Sequence, residues 1–126
     1  MRTTTSATLV LLMTFLGCTQ DDSTSVTVDE TLHAPTGVTA SRVGLTAVRI
    51  MWLDNNETEE GYIVERQTGQ GQFIQQLFTT QDVGTAVDSS GLSVNGTYAY
   101  RVRAIRYSAR GDYSPVATIT LSLPYP

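Results

Sequence analysis

From Pro35 onward, apolar positions recur at every second residue. Val48, Ile50 and Trp52 alternate with Arg49 and Met51, and Tyr62 and Val64 with Ile63 and Glu65. Tyr98, Tyr100, Val102 and Ala104 alternate with Ala99, Arg101 and Arg103. Successive side chains of a strand point to opposite faces, so this spacing predicts strands with one buried face. The runs break where turn formers gather: Asp54-Asn55-Asn56, Thr68-Gly69-Gln70-Gly71, Ser89-Ser90-Gly91, Asn95-Gly96 and Arg110-Gly111-Asp112. No stretch carries the period of an amphipathic helix. Short strands at this spacing over about 90 residues predict an all-β sandwich.

The segment ahead of Pro35 follows different rules. Ala7 to Leu16 is continuously apolar apart from threonine, and Arg2 and the terminal amine precede it. A bilayer-spanning helix needs roughly 20 residues. The shorter stretch reads as the apolar region of an export signal over residues 1–17, outside the fold. It closes on Phe15-Leu16-Gly17-Cys18, which resembles the lipobox of bacterial lipoproteins, where a small residue precedes the Cys that is acylated. Gly17 and Cys18 match the pattern; Phe15 and Leu16 depart from its preferred Leu and smaller residue. The resemblance implies lipidation at Cys18 and a bacterial cell-envelope location, on the outer membrane or cell surface. The alternative is ordinary cleavage nearby and a secreted chain. Two or more acyl chains, at about 0.8 kcal/mol per buried CH₂, anchor a protein stably. Residues 19–33 are polar, acidic and rich in Ser and Thr. With Cys18 they form an expected flexible linker over 18–33.

Charge narrows the choice of partners. The 126 residues hold eight Arg, no Lys and twelve acidic side chains, a net charge of −4. Loss of residues 1–17 removes one Arg, leaving seven against twelve, or −5. This balance excludes phosphate-backbone binding, which needs clustered cations, and so no nucleic acid is expected as partner. It also excludes electrostatic docking on an anionic bilayer. One Cys cannot form an internal disulfide, so the domain must rely on its core.

Several motifs in order carry a resemblance to the fibronectin type III family. Pro35, Val38 and Ala40 open the domain as its first strand does, and Trp52 stands on the second strand. Leu92 and Tyr98 match the tyrosine corner, whose phenol bonds backbone. Trp52-x-Asp54-Asn55, Glu59 and Gly61-Tyr62-x-Val64-Glu65-Arg66 resemble the modules of secreted bacterial proteins. The resemblance implies a seven-stranded immunoglobulin-like sandwich over residues 34–124, with Trp52, Tyr62, Leu92 and Tyr98 in the structural core. It places Glu65 on an outward face, beside Arg101 or Arg103 of the neighbouring strand.

Candidate chemistry is sparse. The lone His33 lies in the linker, and no nucleophile elbow, zinc-ligand cluster, phosphate loop or dinucleotide motif occurs. Asp54, Glu57, Glu59 and Glu60 crowd one loop. They are weighed as a carboxylate pair for glycan chemistry or as a calcium site, against a solvated loop. EF-hand spacing is absent. No catalytic residue, cofactor or metal is expected. Arg110-Gly111-Asp112, followed by Tyr113, forms a possible binding loop between the last two strands. It resembles the integrin-binding tripeptide, although Gly-Asp-aromatic-Ser is common at this turn in bacterial modules. Asn56-Glu57-Thr58 and Asn95-Gly96-Thr97 match the N-glycosylation pattern. Tyr107, Tyr113 and Tyr125 are candidate surface aromatics.

The expected function is a non-catalytic cell-envelope lipoprotein, a binding or structural module for another exported protein or a polysaccharide. It meets the membrane through its lipid anchor. The alternatives are an adhesin acting through Arg110, Gly111 and Asp112, and a small glycan-active enzyme using the acidic loop. Only Pro124-Tyr125-Pro126 follow the last expected strand, so the function is expected to lie in the sandwich itself.

Overall fold

Alternation at Ala47–Leu53 produces a strand whose Val48, Ile50 and Trp52 are buried while Arg49, Met51 and Leu53 are exposed. This is β2 of a computed structural model that describes residues 29–124. The expected signal peptide, Cys18, residues 18–28 of the linker and Tyr125 lie outside the described residues. The remaining strands are β1 (Thr36–Gly44), β3 (Gly61–Thr68), β4 (Phe73–Thr80), β5 (Thr85–Asp88), β6 (Thr97–Arg106), β7 (Ala109–Arg110) and β8 (Ala117–Thr120). No helix occurs among the described residues.

Two antiparallel sheets result. One has the order β1-β2-β5; the other runs β4-β3-β6-β7, with β8 also pairing β6. The core between them holds Val48, Ile50, Trp52, Tyr62, Val64, Leu92, Tyr98, Tyr100, Val102, Ala104 and Leu121. The Trp52 and Tyr62 rings meet at 5.5 Å between centroids. The backbone N–H of Ser93 donates to the Tyr98 hydroxyl at 2.7 Å, tying the β5–β6 crossover to the core. Each buried side chain of this size contributes about 1.5–3 kcal/mol relative to exposure.

Seven strands are expected and the described residues form eight, because the edge beside β6 is interrupted. Pro115 lacks an N–H and cannot donate to a ladder. The Ser114 side chain bridges the gap: its Oγ accepts from Val102 N–H at 2.9 Å and donates to the Pro115 carbonyl at 2.8 Å. β7 therefore pairs with Ile105 and Arg106 at one end of β6, and β8 with Thr97–Tyr100 at the other.

A second difference concerns β3. Alternation predicts Ile63 and Glu65 on an open face, yet they are only 4% and 8% exposed. β3 is the inner strand between β4 and β6, and long side chains from its neighbours cover its outer face. A bulge in β4 contributes to this cover. Val64 faces Leu77 while Glu65 faces Gln75, so Gln76 is an extra residue. The bulge reverses the side-chain alternation. Leu77 packs on the core, whereas Phe73, at the same parity, stands on the outer face opposite Gln67.

The final residues of the expected linker lie against the domain. Leu32 packs on the core cluster. The His33 backbone N–H donates to Asn56 Oδ1 at 2.6 Å, and Asn56 Nδ2 returns a bond to the His33 carbonyl at 3.0 Å. His33 Nε2 also bonds Asp29 at 2.8 Å, holding that exposed carboxyl down at about 2.

Candidate functional site

The acidic loop between β2 and β3 is built by its own polar residues. Asp54 Oδ1 accepts from the Asn56 N–H at 2.8 Å, a local turn typical of Asp. The Tyr62 hydroxyl donates to the same oxygen. Burial, followed by that bond to Asp54, pushes the Tyr62 phenol well above its usual range, so it remains a donor. Asn55 Nδ2 reaches the Ala34 carbonyl at 3.0 Å, and Asn56 Nδ2 reaches Tyr62 Oη at 3.1 Å. The Asn56 amide is thus committed internally and is not a free glycan acceptor. Glu60 Oε2 accepts from Tyr107 N–H at 2.6 Å, and Arg106 donates to Thr58 at 2.6 Å, which fixes the loop to the β6–β7 hairpin.

Glu59 differs from the rest of the loop. It is only 2% exposed. Its Oε1 accepts from the backbone N–H of Asp82 at 2.9 Å, and its buried Oε2 has no hydrogen-bond partner. Asp82 occupies the β4–β5 turn at a φ of 58°, a left-handed conformation that Asp tolerates. Carboxylate oxygens of Asp54, Glu59 and Asp82 all lie within 4.8 Å of one another. The sequence singles out Asp54 and Glu59; it passes over Asp82, which is 23 residues beyond Glu59 and outside every noted turn cluster. Its one local signal is an Asp ahead of Val83-Gly84 at a strand break. Glu57 does not join the group.

The tripeptide expected in the loop between the last two strands lies beside the hairpin apex and not at it. The hairpin apex is Tyr107-Ser108, where Tyr107 has a φ of 51° and is 83% exposed. Arg110 belongs to β7 opposite Ile105. Gly111 N–H donates to the Ala104 carbonyl at 2.9 Å, and a Cβ there would lie 3.1 Å from Leu32. The Arg110 and Asp112 side chains are exposed, but the backbone between them is held along the sheet edge.

Tyr113 goes to a different place, the outer face of the larger sheet. Its hydroxyl donates to Glu65 Oε1 at 2.9 Å, while Arg101 binds Glu65 Oε2 at 2.7 Å. The Arg101 guanidinium lies 3.6 Å from the Tyr113 ring centroid and 4.2 Å from that of Phe73; Arg103 lies 4.4 Å from Tyr113. Guanidinium planes over aromatic faces add attraction to the ion pair. This stack covers Glu65 and commits both arginines within the domain.

Comparison with known proteins places the architecture. The family model for the fibronectin type III domain matches residues 33–120. No curated protein matches the chain. Among solved structures, a titin fragment superposes with a TM-score of 0.62 at 18% identity, over 73% of this chain and 32% of that one. A β-1,2-glucanase from Parabacteroides distasonis gives 0.65 at 18%, over 77% of this chain and 14% of the enzyme. A Fn3-like protein from Clostridium thermocellum gives 0.56 at 20%, over 67% and 86%. The chain spans about a third of the titin fragment and a smaller share of the glucanase.

Proposed function

The chain belongs to the fibronectin type III domain family, and on that premise we propose that it is a non-catalytic cell-envelope module anchored by acyl chains on Cys18. Domains of this family are commonly structural or binding modules and typically not enzymes. The observation that carries the anchor is the apolar stretch Ala7 to Leu16, closing on Gly17-Cys18 ahead of a polar segment and the sandwich. The partner is another exported protein or a polysaccharide, met through loops and strand edges. Arg66, Arg101 and Arg103 are engaged in internal ion pairs, which supports a partner that is not a polyanion.

Two alternatives have less support. Catalysis by the acidic loop needs carboxylates open to a glycan, and Glu59 is closed off while Asp54 already accepts two donors. Adhesion through Arg110, Gly111 and Asp112 needs the tripeptide at an extended tip, and its backbone is bonded to β6. Radiolabelled fatty acid supplied to cells making the intact chain or Cys18→Ser tests the proposal. Label on the intact chain and none on the variant is the expected result. An unlabelled intact chain defeats the anchor.

A further inference from the structure

We propose that Asp54, Glu59 and Asp82 form a binding site for a hard divalent cation, Ca²⁺, that ties the β2–β3 loop to the β4–β5 turn. Three carboxylates from two distant segments place oxygens within 4.8 Å of one another. Like charges at this separation repel unless something neutralises them. The ion pairs His33–Asp29, Arg66–Asp88, Arg101–Glu65 and Arg103–Glu65 among the described residues all leave these three carboxylates out. The chain contains no Lys.

Glu59 supplies the independent observation. Its side chain is almost wholly buried, and Oε2 faces no protein donor. Buried polar atoms are nearly always partnered, and an orphaned carboxylate oxygen is costly to maintain. Its companion oxygen is fixed by the Asp82 N–H, so the Glu59 carboxylate is held in place beside the other two. A metal ion bound there becomes its missing partner.

The donor set selects the ion. All three ligands are carboxylates, which suit hard cations and not the softer metals that seek His or Cys. Ca²⁺ takes six to eight oxygens in flexible geometry; Mg²⁺ demands a near-ideal octahedron. Asp54 and Asp82 are exposed, so water can complete the shell and the ion has a path in. Asp54 is held in advance by the Asn56 N–H and the Tyr62 hydroxyl, both on Oδ1. Oδ2 is left for the metal. Affinity in the range of extracellular calcium modules, roughly 10⁻⁴ to 10⁻³ M, is expected from three carboxylates on two loops.

Trp52, the one tryptophan of the chain, lies against Tyr62 and reports the site optically. The purified full chain, stripped with EDTA, is titrated with CaCl₂ while heat and Trp52 fluorescence are followed; melting is compared in EDTA and in Ca²⁺. One saturable site is expected. At about a hundredfold excess over the dissociation constant the melting temperature should rise by roughly 10 °C. Mg²⁺ should give a smaller rise. Asp82→Asn retains its backbone N–H to Glu59 and should fold, yet lose the calcium response. Glu59→Gln should lose it too, while melting in EDTA at or above the parent temperature. Glu60→Gln lies outside the group and should retain it. A parent chain that gives no saturable heat and melts identically in EDTA and Ca²⁺ overturns the site. So does a calcium response that survives Asp82→Asn and Glu59→Gln unchanged. A parent stabilised only by lowering the pH, with no calcium response, identifies carboxylates that share a proton and also rejects the metal.

Discussion

Asp88 shows how a single buried charge organises this sandwich. It is 1% exposed, and its Oδ2 accepts from Arg66 at 2.7 Å and from the Tyr100 hydroxyl at 2.9 Å. Arg66 also donates to the Ser90 carbonyl at 2.7 Å and lies over the Tyr98 ring. Removing one partner of such a pair strands the other charge. Asp88→Asn should therefore cost about 3–5 kcal/mol in urea unfolding. Glu65→Gln, whose partner Arg101 is more open to water, should cost about 1–2 kcal/mol. Equal losses at the two sites would contradict this ranking. The tyrosines add a pH dependence. Burial, joined by Asp88 at Tyr100 and by Asp54 at Tyr62, raises both phenols above their ordinary value of 10.0. A group whose folded pKa is raised gives stability that is complete below the unfolded value and is lost as pH rises past it. Thermal melts should hold steady through neutral pH and begin to fall above pH 10. Tyr100→Phe should shallow that fall; an unchanged slope would contradict the assignment.

At the scale of elements, alternation in the sequence reads β2 and β6 directly, because each has one face in the core and one outside. It misreads β3, since alternation records polarity and not whether a neighbour covers the polar side. Glu65 is charged and still buried because Arg101 and Tyr113 reach over it. The extra residue Gln76 leaves no compositional trace, although it decides which face Phe73 takes. The acidic loop is legible as a cluster of carboxylates, but Asp82 joins it only through the pairing of β3 with β4, a tertiary event. That pairing depends on Gly61, which opens β3. A Cβ there would lie 1.8 Å from the Thr79 carbonyl oxygen. Gly61→Ala must push β4 away, and a loss of about 2 kcal/mol or more in unfolding free energy is expected. A near-neutral Gly61→Ala would mean that the strands separate at little cost.

For the molecule as a whole, the polar chemistry is largely directed inward. Arg66, Arg101 and Arg103 serve Asp88 and Glu65, Asn55 and Asn56 clasp Ala34 and His33, and Tyr62 serves Asp54. Exposed apolar side chains include Met51, Leu53 and Val87 on one sheet and Ile74 and Phe78 on the other, and Arg49, Arg110 and Asp112 are exposed as well. Leu32 and His33 rest on the domain, so the free tether of the proposed lipoprotein is shorter than the linker of 18–33 read from composition. The proposed anchor would determine where this module works, and the N-terminus of the native protein would be its most direct record. Mass spectrometry of the N-terminal peptide from the native protein should show a chain that begins at Cys18 and carries acyl mass on that residue. A chain that begins elsewhere, or whose Cys18 is unmodified, would contradict the envelope-anchored account.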